Sequence, residues 1–124
     1  MHNLTTAEWQ VLSFLWENGK STGKEVCLAL EKSAGWNRST TLTVLRRMEK
    51  KGMVQLDDSQ KLQRFSAAVP QERATLQETR NFIDRVYHGS LGLMLTTLTE
   101  KKELSSAEVA ELRAILERAG SDDV

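Results

Sequence analysis

Apolar residues fall at helical spacing in three successive stretches before Gly52, alternate briefly with polar ones as far as Ala67, and return to helical spacing for the rest of the chain. The first stretch opens at Leu4-Thr5-Thr6-Ala7-Glu8-Trp9, where Thr5 and Glu8 have capping-box spacing and Leu4 can staple onto Trp9. Trp9, Leu12, Leu15 and Trp16 supply one face, widened by Val11 and Phe14, and Asn18-Gly19 ends it. Thr22 and Glu25 form a second capping box ahead of Val26, Ala29 and Leu30, and Ala34-Gly35 breaks that helix. The third begins with Asn37 as N-cap, carries Thr41, Val44, Leu45 and Met48 at i, i+3, i+4 and i+7, and stops at Gly52.

The period then changes. Met53, Val54 and Leu56 form a short extended run, Asp57-Asp58-Ser59 has turn chemistry, and Leu62 to Ala67 returns as a second strand. Three short helices followed by a hairpin is the winged helix-turn-helix pattern. Pro70, the sole proline, marks a composition shift, so the chain divides into a winged-helix DNA-binding domain, 1–70, and a helical domain, 71–124.

In the second half, Leu76, Phe82, Ile83, Val86 and Tyr87 lie on a helix from Gln71 to about Tyr87, and Gly89 interrupts. Leu91, Met94, Leu95 and Leu98 repeat the helical stripe, with Leu93 adding a further side. Ser105 and Glu108 repeat the capping box before Val109, Leu112, Ile115 and Leu116, and the pattern predicts a stop at Gly120. The fold class is therefore mainly α with a small β-hairpin wing, plus a three-helix C-terminal region. Three short helices make a poor independent core. A second copy of the chain would cover their apolar surface, which makes this a dimerisation region with Phe82, Val86, Tyr87, Leu91, Met94, Leu95, Leu98, Leu112 and Leu116 at the interface. A two-fold dimer also presents two reading heads to a dyad site.

Charge sharpens this picture. The net charge is zero, but residues 1–70 carry ten Lys/Arg against seven Asp/Glu, and residues 71–124 carry seven against ten. Within Trp36–Phe65 the balance is seven to three, so the positive charge is local. No apolar run approaches the roughly 20 residues of a membrane span. The N-terminus lacks the pattern of a signal peptide, and Cys27 is the only cysteine, so a cytoplasmic setting is expected.

The candidate chemistry lies on the third helix. Away from its apolar stripe it presents Ser39, Thr40, Leu42, Thr43, Arg46 and Arg47, with Arg38 at its start and Lys50 and Lys51 at its end. Short hydroxyls can touch base edges or methyls, and guanidinium groups hold phosphates or read guanine, so this mixture suits a DNA major groove. Leu42 is the misfit, either an ordinary exposed leucine or a contact for a thymine methyl. Lys61 and Arg64 lie near the wing for phosphate or minor-groove contact, whereas Asp57 and Asp58 would repel DNA if they faced it. Trp9, Trp16 and Trp36 are most simply core. His2, His88 and Cys27 are too few and dispersed for a metal site, and no cofactor is expected. There is no Gly-rich phosphate loop, zincin pair or nucleophile motif, so nothing points to an enzyme. The alternative reading is a winged-helix protein-interaction module without specific DNA binding.

Leu4-Thr5 with Ala7-Glu8-Trp9, Leu15-Trp16, Trp36, Thr40 with Thr43, Arg47, Lys50-Lys51-Gly52, and Phe82 with Val86-Tyr87-His88-Gly89 follow one another in an order and spacing that resembles the BlaI/MecI/CopY family of bacterial winged-helix repressors. Glu100-Lys101, Leu104-Ser105 and Glu111-Leu112 extend the likeness to about Leu116. The resemblance implies a homodimer that binds a promoter dyad and blocks transcription, with its recognition helix over Asn37–Lys51. It also implies release by a signal. In several relatives a sensor membrane metalloprotease signals and the repressor is cleaved in its C-terminal half, at a bond that would fall near Thr97-Leu98. Relatives carry Asn-Phe there, so this chain departs from the pattern, as it does with Arg38 where proline is common and Leu42 where a basic residue is common. The copper-responsive branch ends in a cysteine-rich motif, which is not found in Gly120-Ser121-Asp122-Asp123-Val124, so metal sensing is not expected.

Overall fold

Local chemistry sets the helix boundaries in the computed structural model, which describes residues 4–122. At the start of α1 (Thr6–Asn18), Thr5 Oγ1 accepts from the Glu8 N–H at 3.1 Å and Glu8 Oε1 accepts from the Thr5 N–H at 2.9 Å. Thr22 and Glu25 repeat this reciprocal cap, at 3.2 and 2.8 Å, ahead of α2 (Gly23–Ala34). Asn37 Oδ1 takes the Thr40 N–H at 2.8 Å to open α3 (Arg38–Lys50). Each side-chain acceptor satisfies an amide that has no partner inside its helix. Gly35 and Gly52 follow α2 and α3 with φ of 71° and 79°, a backbone region in which a side chain would be strained.

The hairpin predicted after Gly52 is present as β2 (Val54–Asp57) and β3 (Arg64–Ala67), paired antiparallel from Val54 opposite Ala67 to Asp57 opposite Arg64. A third strand was not visible in the sequence pattern. Ser21 and Thr22 form β1, which pairs antiparallel with β3 through Ser21 opposite Phe65, so β3 is the central strand of the sheet. Leu62, expected in the returning strand, lies in the loop before β3 and is 61% exposed.

The core of this part joins Val11, Leu12 and Leu15 of α1, Val26 and Leu30 of α2, and Leu45 and Met48 of α3 to Met53, Val54 and Phe65. Trp16 and Trp36 are half-buried and pack on this cluster from its edge. The Trp16 Nε1–H donates to the Val69 carbonyl at 2.9 Å, which pins the chain leaving β3 onto α1. Trp9 is also half-buried and meets Trp16 edge to face, with centroids 5.4 Å apart.

Three further helices follow: α4 (Gln71–Tyr87), α5 (Leu91–Glu100) and α6 (Ser106–Asp122). The chain forms two compact units that meet in sequence within α4, the first ending at Thr79 and the second starting at Arg80. The sequence marks its boundary at Pro70. The first unit extends past it because Ala74 is buried and Glu78 borders the same recess as Leu4 and Trp9. In the second unit, Ile83 is buried, and Phe82 meets Tyr87 edge to face at 6.0 Å. His88 takes φ 51° at the end of α4, and the Gly89 N–H closes that end on the Ile83 carbonyl at 3.1 Å. Ser90 caps α5, and Ser105 with Glu108 forms the predicted capping box for α6. Contrary to the predicted stop, α6 continues through Gly120 to Asp122. The Ser121 hydroxyl donates back to the Glu117 carbonyl at 3.0 Å, and one interior glycine costs only about 1 kcal/mol of helix stability. No helix among the described residues is long and apolar enough to cross a membrane.

Candidate nucleic-acid interface

Burial of one face of α3 decides what the other can offer. Thr41, Leu45 and Met48 are fully buried and Val44 is half-buried, so the predicted stripe anchors the helix. The Thr41 hydroxyl donates to the Asn37 carbonyl at 3.3 Å, which satisfies it inside the core. Arg38, Ser39, Thr40, Thr43, Arg46, Arg47 and Lys50 are all exposed, as predicted. Because Asn37 does the capping, the side-chain hydroxyls of Ser39, Thr40 and Thr43 carry no hydrogen bond among the described residues and remain available to an outside partner. Glu49 is the one acid on this helix, and it too is exposed.

Two residues assigned to this face are placed differently. Leu42 is half-buried and packs against the core cluster, within reach of Gly23 and β3, so it is not a free surface leucine. Lys51 is drawn away to α1, where its Nζ meets Glu8 Oε2 at 2.9 Å. The Glu8 side chain is 6% exposed and that of Lys51 47%. Burial pushes the Glu8 carboxyl up, but hydrogen bonds from Thr5 and Lys51, together with the Lys51 charge, outweigh it and hold the group below its ordinary value. Glu8 therefore both caps α1 and ties down the end of α3.

The wing is organised around Asp57. Its Oδ1 accepts from the Ser59 hydroxyl at 2.6 Å and the Ser59 N–H at 2.9 Å, and its Oδ2 meets Lys20 Nζ at 2.9 Å. These contacts, Ser59 first and then Lys20, hold Asp57 well below the usual carboxylate range. Its charge is thus balanced by Lys20, a residue that sequence reasoning passed over because its partner lies 37 positions away. Lys61 is exposed on the loop, whereas Arg64 is half-buried in β3 and bonded to Gln60. The exposed Glu25 carboxyl is lowered mainly by its hydrogen bonds from Thr22, with a smaller contribution from the Arg64 charge.

In the second unit, Phe82, Val86, Leu91 and Leu116 of the expected interface are exposed, and Tyr87, Met94, Leu95, Leu98 and Leu112 are half-buried. No side chain of α5 is buried. Thr97 and Leu98 are half-buried within that helix, and the Thr97 hydroxyl donates to the Leu93 carbonyl at 2.8 Å. Among the described residues no three His, Cys, Asp or Glu side chains cluster as a metal would require, and His2 lies outside those residues. Cys27 is a half-buried free thiol on α2.

The family model described as "Penicillinase repressor" matches residues 4–118. The methicillin resistance regulatory protein MecI of Staphylococcus aureus is 26% identical over 117 residues, covering 94% of this chain and 95% of that protein. The penicillinase repressor of Bacillus licheniformis is 27% identical over 114 residues, covering 92% and 89%. Among solved structures, the DNA-binding domain of the repressor BlaI superposes with a TM-score of 0.50 at 24% identity, covering 55% of this chain and 83% of that one. That likeness carries the winged-helix fold.

Proposed function

The chain belongs to the penicillinase repressor family, and from that membership and the geometry of α3 we propose that it is a sequence-specific DNA-binding repressor that acts as a homodimer on a promoter dyad. The family is one of transcriptional repressors, not enzymes. The carrying observation is the outward face of α3. Three hydroxyls (Ser39, Thr40, Thr43) and four cations (Arg38, Arg46, Arg47, Lys50), all without a partner among the described residues, lie together on a helix fixed from behind by Thr41, Leu45 and Met48. The cations position the protein on phosphates, and the hydroxyls and any guanine-reading arginine select sequence.

Dimerisation through residues 71–124 follows from the apolar surface left on α4, α5 and α6. Phe82, Val86, Leu91, Leu93, Ile115 and Leu116 are each more than 40% exposed. Two linked heads bind far more tightly than one, so a signal that loosens the dimer releases the operator. If that signal is a sensor membrane metalloprotease cutting near Thr97-Leu98, α5 must first open, because a protease needs extended backbone. Within a single chain α5 buries no side chain, so what would hold it closed is the dimer contact that the cut then breaks.

The test is a gel-shift titration against the chain's own upstream DNA and a scrambled control, at two salt concentrations, with Arg46→Ala and Arg47→Ala alongside. Specific binding that weakens steeply with salt is expected. An arginine that reads guanine should cost ~1–3 kcal/mol and relax one operator position, and one that holds phosphate should weaken all sequences evenly. Wild-type affinity in both folded variants would remove α3 from the DNA face. Salt-insensitive capture of protein, with no DNA bound, would favour the interaction-module reading.

A further inference from the structure

The first unit holds a cleft of about 600 Å³ walled by α2, α3 and the loop between β2 and β3. That volume suits a small organic molecule, for which sites of roughly 300–1,000 Å³ are usual. Its floor is apolar. A Cβ added at Gly23 would meet Leu42 Cδ2 at 3.7 Å and Phe65 Cε2 at 3.8 Å, so the absent side chain leaves the cleft bordered by half-buried Leu42 and the edge of largely buried Phe65, with Leu56 beside them and exposed Leu62 on the loop above. The rim is cationic: Lys24, Arg38, Arg46 and Lys61 face the single carboxylate of Glu49. None of these four cations has an ion-pair or hydrogen-bond partner among the described residues. The Cys27 side chain completes the α2 wall.

Nucleic-acid phosphates would use the rim but not the floor, which could take no more of a strand than a base methyl. An apolar body carrying one anionic group satisfies both. We propose that this cleft binds a small amphipathic organic anion, of the aromatic-carboxylate class, with its ring over Leu42 and Phe65 and its carboxylate between Arg38, Arg46 and Lys61. Arg38 and Arg46 also belong to the face offered to DNA, so anion and operator exclude one another. That exclusion rests on the DNA reading of α3, and the binding itself does not.

The test is an amide-resolved NMR titration of the full chain with 1-naphthoate, repeated with the uncharged 1-naphthalenemethanol. Shifts centred on Gly23, Cys27, Leu42 and Phe65 are expected with naphthoate, and binding about tenfold weaker or more with the alcohol. Cys27→Glu places a carboxylate in the wall and should weaken naphthoate by about tenfold or more. Lys61→Glu, on the exposed loop, should do likewise if the first variant does not fold. Absence of shifts in the cleft, shifts confined to the helices beyond Arg80, or unchanged affinity in Lys61→Glu would overturn the site. In a parallel gel shift, naphthoate should displace the operator. Cleft shifts with no DNA binding would keep the site and defeat the DNA reading, whereas naphthoate bound to a protein still on its operator would defeat the exclusion.

Discussion

Replacing Glu8 by glutamine keeps the shape of the junction between α1 and α3 and removes only its charge. Oε1 still accepts from the Thr5 N–H, but the second position becomes an amide donor facing the Lys51 ammonium, 2.9 Å away in the wild type. A hydrogen bond to a charged group contributes about 1.5–3 kcal/mol, and half-exposed Lys51 loses part of that to solvent screening, which leaves ~1–2 kcal/mol. The pH dependence carries the sign. Glu8 sits below its ordinary value of 4.5 in the folded chain, so its contribution is fully present above that value and is lost as pH falls through the lowered one. Urea denaturation of wild type and Glu8→Gln, at one protein concentration, should therefore differ by ~1–2 kcal/mol near pH 7 and converge once the pH has fallen through the lowered Glu8 value. Equal stability at neutral pH, or a gap that persists in acid, would refute the view that the ion pair holds the end of α3. Lys51→Ala should reproduce the neutral-pH loss; the same variant losing DNA affinity without losing stability would return Lys51 to the DNA face.

Asn37→Ala removes the acceptor for the Thr40 N–H and should cost about 1 kcal/mol, with weaker operator binding because the turn bearing Arg38, Ser39 and Thr40 frays. An unchanged urea midpoint would show that the cap is dispensable. Leu116→Asp, at a side chain 59% exposed and hence harmless to the fold of one chain, should forfeit roughly 1.5–3 kcal/mol of apolar burial for each protomer of the dimer. Sedimentation velocity should then find monomers at concentrations where the wild type is dimeric, and a persistent dimer would move the interface off α6.

What the sequence made legible was what depends on neighbours within a few residues. The three capping boxes and the Asn37 cap each join positions three apart, so the starts of α1, α2, α3 and α6 were readable without a fold. The buried stripe of α3 was readable for the same reason, since helical periodicity alone places Thr41, Leu45 and Met48 together. What escaped notice depends on distant partners. Two-residue β1 has no alternation of its own and exists only because β3 lies beside it, while Thr22 also serves as the cap of α2. Leu42 flanks the stripe on the helix surface, and only packing against the core draws it in. Lys51 looked like one more cation at a basic helix end until Glu8, 43 positions earlier, was seen to meet it.

These pairings also bound how strongly DNA binding can depend on salt. With no net charge on the chain, attraction must come from cations gathered locally around α3. Lys51 is held by Glu8, Lys20 by Asp57, and Arg64 by Gln60. Arg38, Arg46, Arg47 and Lys50 on α3, Lys24 on α2 and Lys61 on the wing remain unpaired among the described residues. If each of these six met one phosphate, a dimer would release counterions with a slope of log affinity against log salt of about −11, at roughly −0.9 per phosphate. Some of the arginines should face bases instead, so the measured slope should be shallower than this. A steeper slope would mean that further cations reach phosphate, either exposed Lys32 or a residue such as Lys51 that leaves its internal partner, and in the second case Glu8→Gln, by freeing Lys51, should strengthen binding at low salt. A slope near zero would remove phosphate contact altogether, because no apolar or hydroxyl contact on α3 releases counterions.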